Sequence, residues 1–239
     1  MTNFQRARSE EQRQVRRRVI LDTAAAMLDE VGVAAVSLNE LSRRVGLAKS
    51  NVLRYFESRE AILLELLAAA WSEWNVDLPE QLRVGISPRV DPGQRGEQLA
   101  DILSQSLIGR GILCDLLSAQ AGVLEQNISP QVAARYKHEA SDNVSELASL
   151  VRAHLPEVGE RAEAFCAQAI MVIGAIWTHS RPSPSMLEAY AADPVLAGMR
   201  MDFVPTLRET LATLIAGTLA RRDVTDTGRR PTASGTAAT

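Results

Sequence analysis

Residues 37–56 read SLNELSRRVGLAKSNVLRYF. Ser37, with Glu40 three residues on, forms a capping box: the hydroxyl takes an orphan backbone N–H and the carboxylate reaches back to the cap. Leu41 and Val45 follow on one face, so a short helix is expected there, ended by Gly46. After the connector Gly46-Leu47-Ala48, a second short helical stretch is expected from about Lys49 to Tyr55, with Val52 and Phe56 as its apolar positions. In such a helix-turn-helix, Leu38, Leu41, Val45, Leu47, Val52 and Phe56 pack the two helices together. Asn39, Arg43, Arg44, Lys49, Ser50, Asn51, Leu53, Arg54 and Tyr55 are left for other faces. When this motif binds DNA, the first helix braces on the phosphate backbone and the second places side chains at base edges in the major groove. The residue types fit: Lys donates to guanine O6 or N7, Ser and Asn to bases or phosphate, and Leu touches a thymine methyl.

Upstream, Ser9-Glu10-Glu11-Gln12 is another capping box, which predicts a first helix from Ser9. Val15, Val19, Ala24, Met27, Leu28 and Val31 share its apolar face, and Gly32 supplies a stop. Downstream, Ser58 can cap a longer fourth helix striped by Ile62, Leu63, Leu66, Leu67, Ala70, Trp71 and Trp74, expected to link two modules. Residues 77–96 hold Pro79, Gly85, Pro88, Pro92, Gly93 and Gly96, and are expected to form a loop at the junction. Helical patterns then recur at 97–108, 111–127, 130–154, 157–179, 184–191 and 204–221, and the polar stretch 222–239 is expected to be a disordered tail. There is no strand signal, aromatic content is 4%, and Ala, Leu, Val and Glu are abundant, so the fold class expected is all-α.

With 239 residues, 46% hydrophobic and 23% charged, the chain is neither disordered throughout nor a collagen-like fibre. The longest apolar run, Phe165 to Trp177, covers 13 residues, whereas a membrane span needs about 20. It reads as a buried helix, and the N-terminus lacks signal-peptide features. A cytoplasmic location with no membrane partner is expected. Cys114 and Cys166 lie 52 positions apart, with no metal spacing and no disulfide framework, and read as buried thiols. His138, His154 and His179 share no close spacing either, so neither a metal nor a cofactor is expected. The net charge of −3 conceals a split: residues 1–60 carry +3 and the remainder −6. Six arginines (Arg6, Arg8, Arg13, Arg16, Arg17, Arg18) fall in the first 20 residues, which suggests an end that faces a polyanion.

From Ile20 to Leu67 the sequence ILDTAAAMLDEVGVAAVSLNELSRRVGLAKSNVLRYFESREAILLELL resembles the DNA-binding domain of the TetR family of bacterial transcriptional regulators. The shared tokens are the helix ending in Gly32, the Ser-capped helix, the Gly-Leu-Ala-Lys-Ser turn, Tyr55-Phe56, and a basic residue three beyond the Phe that opens a Leu-rich helix. The resemblance covers residues 14–74. It implies base-facing roles for Lys49, Ser50 and Leu53, a groove-reaching Asn39 near the start of the bracing helix, and phosphate or groove-wall contacts from Asn51, Arg54, Tyr55 and Arg59. Two positions depart from the pattern: Ala48 stands where many relatives have a capping Ser, and Leu53 replaces a frequent Tyr. Arg6 to Arg18 form either a flexible arm to the minor groove, as in some relatives, or a solvated helix start.

Past residue 75 the resemblance is architectural and implies a helical effector-binding and dimerisation domain at 75–221. The helix at 157–179 is apolar nearly all round. Leu207, Leu211, Leu214, Ile215, Thr218 and Leu219 stripe the last helix with no obvious partner in the chain, so two such helices from each subunit are expected to form a four-helix dimer interface. Leu103, Leu107, Leu117, Leu124, Phe165, Met171 and Trp177 are candidates to line an effector pocket. The expected protein is a homodimeric, sequence-specific regulator of near-palindromic double-stranded DNA, a repressor released by a small-molecule effector. No Ser/His/Asp order, HExxH, phosphate-cradling glycine loop or paired carboxylates suggest an enzyme. The alternative is an all-α ligand-binding protein or enzyme with a degenerate DNA-binding head.

Overall fold

The structure, a computed structural model, describes the backbone of residues 2–226 and the side chains of residues 10–221. Among the described residues it is helical without strands: α1 (Thr2–Ala35), α2 (Leu38–Val45), α3 (Lys49–Val52), α4 (Arg59–Gly85), α5 (Pro92–Gln105), α6 (Gly111–Ala119), α7 (Pro130–His154), α8 (Ala162–His179), α9 (Pro184–Ala192), α10 (Pro194–Ala197) and α11 (Phe203–Asp226). A π-helical turn, Gln120–Leu124, extends α6, and a 3-10 turn, Pro156–Arg161, leads into α8.

The head is α1 to α3, with the start of α4 beneath it. The Ser37 hydroxyl accepts from Glu40 N–H at 3.2 Å, and Gly46 ends α2 in the left-handed region at φ 71°, where a side chain would be strained. Gly32 also has φ 71° and breaks α1 near its end. Ile20, Ala24, Met27, Leu28, Leu41, Val52, Phe56, Ile62 and Leu63 are buried together, so α1, the helix-turn-helix and α4 close on one core, whereas Val15, Val19 and Val31 of the expected α1 stripe are exposed, because the buried face of α1 runs through Ile20 instead.

Several expectations are corrected. The first helix does not begin at Ser9 but runs back to Thr2; a capping box within a helix-forming stretch does not prevent helix from continuing upstream. The side chains of Arg6 and Arg8 lie outside the described residues. The expected loop at 77–96 shrinks to 86–91, because α4 continues through Pro79 to Gly85 and Asp91 caps α5. Proline removes one helical N–H, but Pro79 faces solvent while Leu78 and Leu82 extend the buried stripe of Trp71 and Trp74, and that burial carries the helix past it. Residues 222–226 continue α11; the remainder of the expected tail, 227–239, lies outside the described residues.

In the body, α4 packs on α7, α6 on α8, and α11 on both α5 and α8. Polar clasps fix α4: Trp74 Nε1 donates to Ser106 Oγ at 2.8 Å, and Asn75 Nδ2 donates to the Asn143 carbonyl at 2.9 Å. At Gly174 a Cβ would stand 2.9 Å from the Leu117 carbonyl oxygen, so glycine is what lets α6 and α8 approach. Leu207, Leu211 and Ile215 have intrachain partners after all: they are buried, on a helix that packs against α5 and α8. The pocket candidates fare similarly. Leu103, Leu107, Leu117, Leu124 and Phe165 are close-packed core, and Met171 is 66% exposed on the outer face of α8. Apolar residues at helical spacing report burial, and nothing in their spacing separates a cavity wall from a filled core. Cys114 and Cys166 are buried free thiols, and desolvation pushes both up to about 12.

Candidate nucleic-acid interface

The cationic and polar side chains of the head fall into two sets. In the first, every guanidinium is committed within the chain. Arg17 donates to the Tyr55 carbonyl at 2.6 Å, pairs with Glu65 of α4 at 2.5 Å and lies 4.2 Å over the Phe56 ring. Arg43 and Arg44 both pair with Glu40, at 2.6 and 3.0 Å, and Arg44 also reaches Glu30 at 2.7 Å. Hydrogen bonds from the two arginines hold the Glu40 carboxyl down to about 2. Arg59, expected to face a phosphate, instead donates to the carbonyls of Val33 and Val36 and pairs with Glu60. The break at Gly32 leaves those carbonyls outside regular helix, and Arg59 at the start of α4 satisfies them.

The second set is uncommitted. Asn39, Lys49, Ser50, Asn51 and Arg54 are exposed, and among the described residues none of their side chains makes a hydrogen bond or ion pair. Leu53 is 39% exposed beside them, and Tyr55 is half-buried. α3 is a single turn, shorter than the stretch expected to Tyr55, and Ala48 provides no side-chain cap. Its first N–H groups are left for an outside acceptor.

The sequence pattern missed how α1 joins this surface. Arg13 and Arg16 line one groove together with Arg54 and Tyr55. Residues 2–18 are helix rather than an extended arm, so these arginines are held next to the end of α3. Only a shared face of α1, spaced three residues apart, hinted at this.

The head is also tied to the body at the start of α7. Glu57, just before α4, accepts from Ser129 N–H at 2.6 Å and from its hydroxyl at 2.7 Å, at the cap of α7, and these bonds lower its pKa. A cleft of about 960 Å³ opens between α1, α4 and the start of α6, with Val19, Ala25, Leu66, Ala70 and Ile112 in its walls. No group of three or more His, Cys, Asp or Glu suited to a metal occurs among the described residues.

A helix-turn-helix head with a free polar face, carried by a long helix into an all-helical body, defines a transcriptional regulator fold. Residues 20–66 match the family described as bacterial regulatory proteins, tetR family, and residues 68–222 match the tetracyclin repressor-like C-terminal domain. The chain belongs to the TetR family of transcriptional regulators. Its fold is similar to that of a protein from Rhodococcus sp. RHA1 (18% identity, TM-score 0.51, 84% of this chain and 94% of that one). It is also similar to the multidrug binding protein EbrR complexed with imidazole (16%, 0.50, 83% and 94%), and to the fatty acid degradation regulator FadR from Bacillus halodurans (13%, 0.49, 83% and 97%). No curated protein sequence is significantly similar.

Proposed function

We propose that the protein is a homodimeric, sequence-specific DNA-binding repressor released by a small-molecule effector. The observation that carries the reading is the division of the head's polar groups. Arg17, Arg43, Arg44 and Arg59 are paired within the chain, while Asn39, Lys49, Ser50, Asn51 and Arg54 are exposed and without partners among the described residues, and Leu53 is exposed in the same stretch of chain as the last four. Lys49, Ser50 and Leu53 read base edges, and Asn39 and Asn51 contact the groove wall or phosphates. Arg54, Arg13 and Arg16 line the phosphate track beside Tyr55. Arg59 acts by fixing the head and not by touching DNA.

Of the two helices expected at a dimer interface, α11 buries Leu207, Leu211 and Ile215 within the chain, while α8 keeps Met171 and Ala175 exposed. Ala164, Ala167, Met171 and Ala175 form an exposed, mostly small-residue face on α8, outside the intrachain core. A dimer built there would read successive major grooves of a near-palindrome if its recognition helices stood about 34 to 36 Å apart. The cleft between α1, α4 and α6 supports effector control, because its walls belong to both head and body. An occupant that fits better when those walls part shifts the population away from DNA by its differential affinity.

Selection from a random duplex library at about 0.1 M salt tests the reading. A near-palindromic motif is expected. Lys49→Ala should relax one position per half-site at a cost of about 1–3 kcal/mol per half-site, and Arg54→Ala should weaken all sequences alike and, by removing one phosphate contact from each subunit, lower the salt slope of the dimer by about 1.8. Absence of enrichment would overturn the proposal in favour of a ligand-binding protein with a degenerate head.

A further inference from the structure

Trp177, one of the residues expected to line an effector pocket, stands in the wall of a cavity where head and body meet. The cavity measures about 470 Å³, and its walls include Asp29 of α1, Ile112 and Asp115 of α6, and Asp202 and Phe203 where α11 begins. Asp115 accepts from Trp177 Nε1 at 2.6 Å, which fixes the indole, and Phe203 meets that ring edge-on at 4.9 Å. A cation already sits on this aromatic wall. The Arg181 guanidinium lies 5.0 Å over the Trp177 ring and pairs with Asp115 at 2.9 Å.

Two features make Arg181 a replaceable occupant. Its side chain is 58% exposed, and an ion pair that open to water contributes little. It also lies at the root of the arm that carries α9 and α10 from α8 to α11, and neither of those helices contains a buried residue, so few contacts resist its displacement. The carboxylates of Asp29 and Asp202 in the same walls have no hydrogen bond or ion pair among the described residues. Asp29, Gly111 and Ile112 also wall the cleft of about 960 Å³ between α1, α4 and α6, so the two spaces meet. In that cleft Arg17 and Arg110 are paired with Glu65 and Asp77, whereas Glu11, Asp22 and Glu73 are unpaired among the described residues, against Arg18 as the unpaired cation.

We infer that the two spaces form one site for an organic cation with an apolar body. The charged centre takes the place of the Arg181 guanidinium between Trp177 and Asp115, and the apolar part lies along Ile112 towards Leu66 and Ala70 in the wider cleft. An indole face beside a carboxylate attracts a cation through the ring quadrupole and the charge together, while the surplus of unpaired carboxylates repels an anion. Arg181 is then an internal competitor that holds the aromatic wall when the site is empty. The inference rests on the effector reading above and gives that effector its chemical class. Asp29 belongs to the head and Asp115 and Trp177 to the body, so an occupant touches both, as a differential affinity for two head positions requires.

The test titrates the full chain calorimetrically with tetraphenylphosphonium and with tetraphenylborate, an anion of the same shape. The cation should bind and the anion should not. Trp177→Leu and Asp115→Asn, the second of which keeps an acceptor for the indole, should each weaken the cation about tenfold. Arg181→Ala should instead strengthen it several-fold by removing the competitor, a gain that damage to the fold does not produce. Failure of the cation to bind, equal affinity for the two ions, or a cation affinity that none of the three substitutions moves would overturn the inference. Weaker binding in Arg181→Ala would make the arginine part of the site instead of its competitor, and overturns it too. Effector control is read separately, from release of the selected operator: a cation that binds with this pattern and leaves DNA bound keeps the site and removes its role as effector site.

Discussion

The pair α2–α3 in the head and the pair α9–α10 in the arm are built alike and stabilised in opposite ways. Each joins a short helix of eight or nine residues to one of four, and each opens with a serine cap. In the head pair, Leu41, Val52 and Phe56 are buried under α1 and α4, and polar side chains face outward. In the arm pair nothing is buried and Met, Leu and Val face outward. A short helix needs a cover wherever it lies. In the head the same chain supplies it and leaves the polar face outward; in the arm the apolar face stays exposed.

Removing the cover should therefore break the head and spare the arm. Phe56→Ala is expected to destabilise the protomer by about 3–5 kcal/mol, since the ring is buried and also carries the Arg17 guanidinium. Leu187→Ala should change protomer stability by no more than about 0.5 kcal/mol. Urea unfolding of both variants under dissociating conditions decides it, and equal losses would mean that the arm is part of the protomer core.

Arg59→Ala sharpens the division of the head into committed and free cations. It leaves the Val33 and Val36 carbonyls without their donor, and should lower stability by about 1–3 kcal/mol. Because the guanidinium is already spent within the chain, the salt dependence of DNA binding should stay as in the wild type. A shallower slope would return Arg59 to the phosphate contacts.

The caps give a smaller contrast. Ser37→Ala should cost about 1 kcal/mol in global unfolding, because α2 is part of the head core. Ser183→Ala should leave global unfolding unmoved and instead speed amide exchange in α9.

The smallest effect expected is a pH dependence. Glu40 is lowered from 4.5 to about 2 by Arg43 and Arg44. A depressed carboxyl contributes stability that is complete above its unfolded value and lost as pH falls through its folded one. Melting temperature should thus fall between about pH 4.5 and pH 2, less steeply in Glu40→Gln. The pair is solvated, so the difference is expected to be slight, and identical profiles would mean that the pair contributes nothing.

How far each part was legible from sequence follows from how local its signals are. Helix α2 and its ends, the cap of α4 and the start and end of α7 are written in a few adjacent residues each, and the structure places them as read. The fate of Arg59 was not legible, because its partners lie 23 and 26 residues upstream. Nor was the passage of α4 through Pro79, which depends on what covers Leu78 and Leu82 rather than on proline itself. The stripe of α11 looked unpartnered because its partner, α5, begins inside a segment rich in Pro and Gly that reads as loop.

By itself, then, the sequence determined the helical class, the helix-turn-helix with its caps and glycines, and the residue types offered to DNA, since backbone hydrogen bonding and apolar periodicity act over one or two turns. Tertiary structure alone decided which arginines are spent within the chain, which apolar residues fill the core, and which are left exposed on the arm. Apart from the local pairs of Glu40 with Arg43 and Arg44, those outcomes turn on contacts between residues far apart in the chain, as for Arg17 and Arg59, where a charge meets its partner or an apolar face its cover only after the helices have packed.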